Sequence, residues 1–465
     1  MAGSGLGLRC LGVGDRGLSE KEKFYFKKRL GLISEPLFLS NARKSKEERF
    51  FIARRNAKYI FYLMKRIIFA IAVFFIAAVC AFSAEKSEKA EKFAIKYGPY
   101  IHSLYGDEAV ITWITNRPAV SWVETAPDDG THFYAYERPK FFNSPMGKKL
   151  VGTVHSVRLK NISKPVRYRV LSAEVTGRDG EKVVYGDYAG SDVYRGKPFL
   201  LRPIPNSSEK VKFAVVNDIH EDSQRLSDLL SRAPKDIDFI VLNGDMVNRM
   251  DSERQIFEGF MNEIVKFTRS EKPVYFVRGN HETRGEFSEE FLKYFPTPTG
   301  KPYYSFKWGN ACFVMLDAGE DKPDSDIEYF STANFDAYRR EQAEWFSELI
   351  KSEDFKKAPV KIIIVHVPPA WGAWHGSLHF RKLFMPLINQ SGADAILSGH
   401  LHKFNPERNS LPLYPADKDG INVPNVVNSN VDLMIVSANS KEIDISFIDT
   451  KGGKPRGDIK LPVGD

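Results

Sequence analysis

Five short polar motifs in the second half of this 465-residue chain each follow a run of apolar residues. Residues 218–220 follow 211–216, 244–248 follow 239–242, 279–282 follow 274–277, His366 follows 362–365, and 399–402 follow 395–397. Short, near-continuous apolar runs read as strands buried on both faces, and the amphipathic segments 335–352 and 380–389 between them read as helices. This alternation predicts an α/β layered domain, with two further strands after Leu433 closing a sheet edge. Ligands in such folds gather beyond the carboxyl ends of the strands, where all five motifs fall.

Seven donors would converge there: Asp218, His220, Asp245, Asn280, His366, His400 and His402. All offer nitrogen or oxygen and none offers sulfur, which suits zinc, iron or manganese and argues against a thiolate site. A single ion cannot use seven protein donors and keep a position open for substrate. Two ions can, if one carboxylate is shared. A lone histidine in a strand-end loop is more often structural than ligating. Seven of the ten histidines lie between 220 and 402, however, and five of them stand inside the motifs. His102, His132 and His155 fall outside and receive no role.

The first half reads differently. Residues 93–195 hold short runs rich in Val, Ile, Thr, Tyr and Trp separated by turn formers, the pattern of a small antiparallel sandwich. Residues 196–209, rich in Pro and Ser, read as a linker to a second domain at 210–465. Residues 64–84 carry two cations, an apolar run and small residues, which is the composition of a secretory signal peptide. Residues 1–63 then read as an over-extended leader, and 85–92 as a charged tether. The protein is accordingly expected to be exported, to the periplasm, the cell surface or the medium, with no stable membrane span in the mature chain.

The net charge of +8 resides in that leader, since residues 1–63 hold 14 Lys or Arg against 6 Asp or Glu. The near-neutral remainder lacks the electrostatic footprint of a nucleic-acid binder. Of the three cysteines, Cys10 and Cys80 precede the expected mature chain. Cys312, in an apolar strand-like run, reads as a buried inert thiol. Tyr303, Tyr304, Phe306 and Trp308 read as packing, while Trp371 and Trp374 stand open between lining a pocket and packing a loop.

In their order and spacing, AspIleHis at 218, GlyAspMetValAsn at 244, GlyAsnHisGlu at 279, His366 and GlyHisLeuHis at 399 resemble the calcineurin-like metallophosphoesterases. The segment HisSerValArgLeuLysAsnIle followed by ArgTyrArgVal resembles the amino-terminal domain of purple acid phosphatases. The resemblance implies a metallophosphoesterase fold, a layered β-sandwich flanked by helices, preceded by an all-β fibronectin III-like sandwich. It also implies that Asp218, His220 and His402 bind one metal, that Asn280, His366 and His400 bind another, and that Asp245 bridges them. His281 would assist the leaving group, Glu282 would orient a neighbouring histidine, and His375 and His379 would contact substrate from a loop over the site. The chain departs from the purple enzymes at His220, where they have Gly, and at Asn248, where they have the Tyr that colours them. A colourless centre that need not hold ferric iron is therefore expected.

The activity so implied is hydrolysis of small phosphate monoesters by a metal-activated water. Two alternatives stand beside it: a phosphodiesterase or nucleotidase on the same metal core, and a surface binding protein with a vestigial metal site.

Overall fold

Strict alternation along the central strands builds the layers. The computed structural model describes residues 91–205, 209–370, 372–403, 420–450 and 458–464, together with 61, 62, 64, 65 and 67. Most of the leader, signal peptide and tether, with Cys10, Cys80 and Trp371, lies outside the described residues. Among the described residues, no helix is long and apolar enough to cross a membrane.

Seven strands come first: β1 (Ile95–Tyr105), β2 (Glu108–Pro127), β3 (Lys140–Phe142), β4 (Val151–Leu159), β5 (Val166–Asp179), β6 (Lys182–Gly190) and β7 (Phe199–Leu201). They pair with one another antiparallel, as their β-branched and aromatic content predicts. The rest comprises β8 (Lys210–Val216), β9 (Phe239–Asn243), β10 (Val274–Val277), β11 (Tyr304–Trp308), β12 (Ala311–Leu316), β13 (Val360–Val365), β14 (Ala395–Ser398), β15 (Asn425–Val427), β16 (Asp432–Asn439), β17 (Glu442–Asp449) and β18 (Ile459–Pro462).

Two mixed sheets result. One runs β18-β17-β16-β8-β9-β10-β1-β2-β5-β6 and the other β11-β12-β13-β14-β15. Strands β8 to β10 are parallel, as are β12 to β15, while β16 and β17 close the first sheet antiparallel, as expected. Phe213 and Val215 of β8 face Ile362 and Ile364 of β13 in the core between the sheets. Ala214 and Val216 turn outward under helix α1 (Ser223–Ser231) and α2 (Asn262–Thr268). Ile363 and Val365 turn the other way, under α3 (Phe335–Leu349) and α4 (His375–Ser391). The order helix, sheet, sheet, helix is the layered metallophosphoesterase arrangement.

The amino-terminal strands join this body directly. His102 of β1 pairs in parallel with Val274 of β10, and Ile101, Trp113 and Tyr168 share a core with Phe213 and Phe239. Tyr168 Oη donates to Ser270 O at 2.5 Å and Tyr100 Oη to Tyr294 O at 2.8 Å. Residues 92–465 consequently form one compact unit. The edge that β10 would otherwise present is covered by β1.

Candidate metal centre

Every donor leaves the sheets within a few residues of a strand's carboxyl end, and the chain turns sharply to bring it inward. Asp218, His220, Asp245, His400 and His402 have φ of 53°, 50°, 53°, 69° and 56°. Each left-handed, non-glycine residue costs on the order of 1–3 kcal/mol, so five in one cluster mark strain held for function. The motif glycines supply the close approach. A Cβ on Gly279 would lie 2.3 Å from Asp245 Oδ1, and one on Gly244 would lie 2.5 Å from the His366 ring.

The donors collect into nests. Asp218, His220 and His402 form one, with His402 Nε2 3.1 Å from Asp218 Oδ1 and 3.2 Å from His220 Nε2. Asp245, His366 and His400 form another, with His366 Nε2 3.0 Å from Asp245 Oδ2. The Asn280 carboxamide joins the second, 3.3 Å from Asp245 Oδ2 and 3.2 Å from His400 Nδ1. His366 Nε2 is also 3.9 Å from Asp218 Oδ1, so it lies between the two carboxylates. A third nest, His220, Asp245 and His281, overlaps the first two.

Several polar atoms here are unsatisfied. Asp218 Oδ1 and His366 Nε2 are buried without a hydrogen bond. Burial opposes charge on His366, but the carboxylates of Asp245 and Asp218 outweigh it and raise its pKa to about 10. Positive charge is thus favoured between the two carboxylates. Burial likewise opposes charge on Asp218, yet His366 and the approach of the His402 ring hold its carboxyl below the usual value. His400 is lowered to about 4, by burial and then by His366. Buried carboxylates, paired imidazoles and orphaned lone pairs are the chemistry a pair of divalent cations would satisfy, so the residues fit the metals the sequence implies.

Glu282 corrects an expectation. Instead of orienting a histidine, its carboxylate accepts the backbone N–H groups of Asp245 (2.8 Å), Met246 (2.7 Å), Val247 (3.3 Å) and Gly279 (2.8 Å). It ties the Asp245 turn to the Asn280 turn, and burial beside Asp245 raises its pKa to about 7. His281 stands at the open side: its N–H donates to Asp245 Oδ1 at 3.0 Å and its ring packs 4.8 Å from that of His220.

His375 and His379 are not brought into these nests. They occupy the first turns of α4, not a loop, and both address Asp336 of α3, at 2.9 Å from Nε2 and 3.1 Å from Nδ1. The helix starts at an uncapped Trp374, through Gly376 and Ser377, so no cap or propensity signal announces it. Trp374 itself is 58% exposed. Cys312 is buried, which pushes its thiol up to about 11, and Tyr303, Tyr304, Phe306 and Trp308 are all buried packing.

Three residues beyond the motif donors help build the site. Asn217 Nδ2 donates to Asp218 Oδ2 at 2.6 Å and its oxygen accepts from Asn428 at 2.7 Å, fixing the first carboxylate. Arg284 approaches both Asn280 and His281. Asn217 directly precedes one motif and Arg284 stands two residues after another, the one signal the sequence held; Asn428 is remote and carried none.

Residues 211–404 match the family model described as calcineurin-like phosphoesterase. In that segment the chain is similar to the calcineurin-like phosphoesterases. Among known relatives of this chain, purple acid phosphatase 21 of Arabidopsis thaliana is 24% identical over 245 residues, which is 47% of this chain and 52% of the relative. The acid phosphatase of Aspergillus ficuum is 29% identical over 160 residues, 28% of this chain and 25% of the relative. The chain thus spans about half the length, or less, of these two. A solved structure of PhoD aligns with 77% of this chain and 91% of its own, at 12% identity and a TM-score of 0.48.

Proposed function

We propose that the protein is an exported phosphoric ester hydrolase that uses two metal ions, zinc, iron or manganese, to cleave small phosphate monoesters. The observation that carries this is the chain of overlapping donor nests, in which the group of His220, Asp245 and His281 links the Asp218 nest to the His366 nest. Asp218, His220 and His402 would hold one ion, and Asn280, His366 and His400 the other, with Asp245 shared. Bound there, such ions supply Lewis acidity toward phosphate oxygens and lower the pKa of water.

The chain's own groups do the rest. His281 Nδ1 lies 2.7 Å from Asn248 O, and a carbonyl only accepts, so Nδ1 keeps its hydrogen. Nε2 is then the atom that carries the transferable proton to a leaving oxygen. Asn248, in place of a tyrosine, donates from Nδ2 to His220 O at 3.2 Å, consistent with a colourless centre.

The relatives bear phosphatase names, which supports monoester over diester cleavage. Export rests on the signal-like composition of residues 64–84. The antiparallel pairing of β1 to β7 supports a fibronectin III-like unit over residues 93–195, although it shares its core with the catalytic layers.

The test is metal content by elemental analysis of protein beginning at residue 85, paired with hydrolysis of an aryl phosphate monoester and a bis-aryl diester. About two ions and monoester turnover are expected. Diester preference would move the assignment to a phosphodiesterase. Neither metal nor turnover after reconstitution would leave a binding protein.

A further inference from the structure

We infer that Arg284 controls how tightly the second ion is held, by competing for the carboxamide oxygen of Asn280; this rests on the two-metal reading above. Arg284 is largely buried, at 15% side-chain exposure, and is gripped by Glu320 through Nε at 2.8 Å and Nη2 at 2.9 Å. Glu320 is itself fully buried and held by the Tyr329 hydroxyl and by the Asp321 N–H at 2.9 Å. So fixed, Arg284 places Nη2 3.1 Å from the Asn280 carboxamide and Nη1 3.4 Å from His281 Nε2.

The carboxamide therefore has two orientations with opposite meanings. With its nitrogen inward it donates to Asp245 Oδ2 and His400 Nδ1, while its oxygen accepts from Arg284. Every partner is then matched without a cation. With its oxygen inward it joins Asp245 and His400 as a third lone-pair donor, the arrangement a cation needs, but its nitrogen then meets Arg284 donor against donor. Filling the second nest must break the bond between Arg284 and Asn280. The first nest, Asp218, His220 and His402, involves no such exchange. Arg284 is in this sense a positioning residue that makes the two ions bind unequally.

Calorimetric titration of metal-free protein with Mn2+ tests this without recourse to activity. The native protein should show two unequal steps. In Arg284→Met/Glu320→Gln, which removes the paired charges of Arg284 and Glu320 together, the weaker step should tighten by roughly 10-fold or more, the worth of one hydrogen bond to a charged group. The stronger step should not move. Arg284→Gln, which retracts the donor from Asn280 while keeping one for Glu320, carries the same expectation should the double variant fail to fold. Glu320→Gln alone, which retains the competing guanidinium, should show no tightening. A weaker step unmoved by loss of Arg284, or both steps shifting together, overturns the inference. Fewer than two ions on the native protein would overturn the two-metal reading on which it rests.

Discussion

At the scale of single residues, Asp245 and Glu282 carry the sharpest expectations. Asp245 belongs to the nest of His366 and His400 and to the one with His220 and His281 that overlaps the Asp218 nest, so on the proposed two-metal reading Asp245→Asn should lose both ions and nearly all turnover. Elemental analysis checks this, and retained metal would contradict the shared role. His281 belongs to the linking nest but to neither group assigned to an ion, so His281→Ala should keep its metal and lose about 10²- to 10⁴-fold in turnover. Glu282 accepts four backbone N–H groups with one buried carboxylate. Glu282→Ala would strand several buried donors, each costing about 1–3 kcal/mol. A large fall in melting temperature is expected even in metal-free protein, and an unchanged melt would contradict the clamp. The candidate donors stand out in the sequence because each adjoins a strand end. The job of Glu282 could not, because its partners are backbone groups, which leave no residue-type signature.

At the scale of elements, the turns after β8, β9, β10 and β14 do what sequence pattern only hints at. Asp218 and His400 adopt left-handed backbone without being glycine, while the glycines beside the donors serve close approach. Gly279→Ala should press a methyl into Asp245, 2.3 Å from Oδ1. Overpacking of this kind costs about 1–3 kcal/mol and should weaken metal binding along with stability. A variant that keeps native metal affinity would contradict it. The first turns of α4 were the least legible element. Residues 375–379 carry two histidines near a ligand and read as an active-site loop, but the helix begins there and Asp336 of α3 takes both rings. That pairing joins residues 39 and more apart and has no local pattern.

At the scale of the whole molecule, β1 decides how the two halves relate. A fragment beginning at residue 210 would bare the β10 edge and strip Ile101, Trp113 and Tyr168 from the shared core. It is expected to be insoluble or unfolded, and a folded, monomeric fragment would show the halves to be separable. The same joint contains a pH-sensitive group. His102 is fully buried, with Nδ1 2.9 Å from Pro296 O, and burial lowers its pKa from 6.5 to about 4. Its contribution to stability is present above pH 6.5 and is lost as pH falls through about 4, because the native state must then take up a charge it cannot solvate. The span corresponds to about 3 kcal/mol. Denaturant unfolding between pH 7 and 4 should show that loss, and His102→Gln should flatten it.

The sequence by itself determined the α/β layers and where the candidate donors stand along them. Both depend on short-range pattern: apolar runs that can only be buried strands, and hard ligands set where those strands end. Tertiary structure alone decided that β1 would complete the catalytic sheet, that Glu282 would clamp backbone, and that Arg284 would reach Asn280 while gripped by Glu320. Those contacts are made between segments far apart in the chain, or with backbone atoms that every residue shares. Their energies arise from burial and hydrogen-bond geometry, which exist only once the chain has folded.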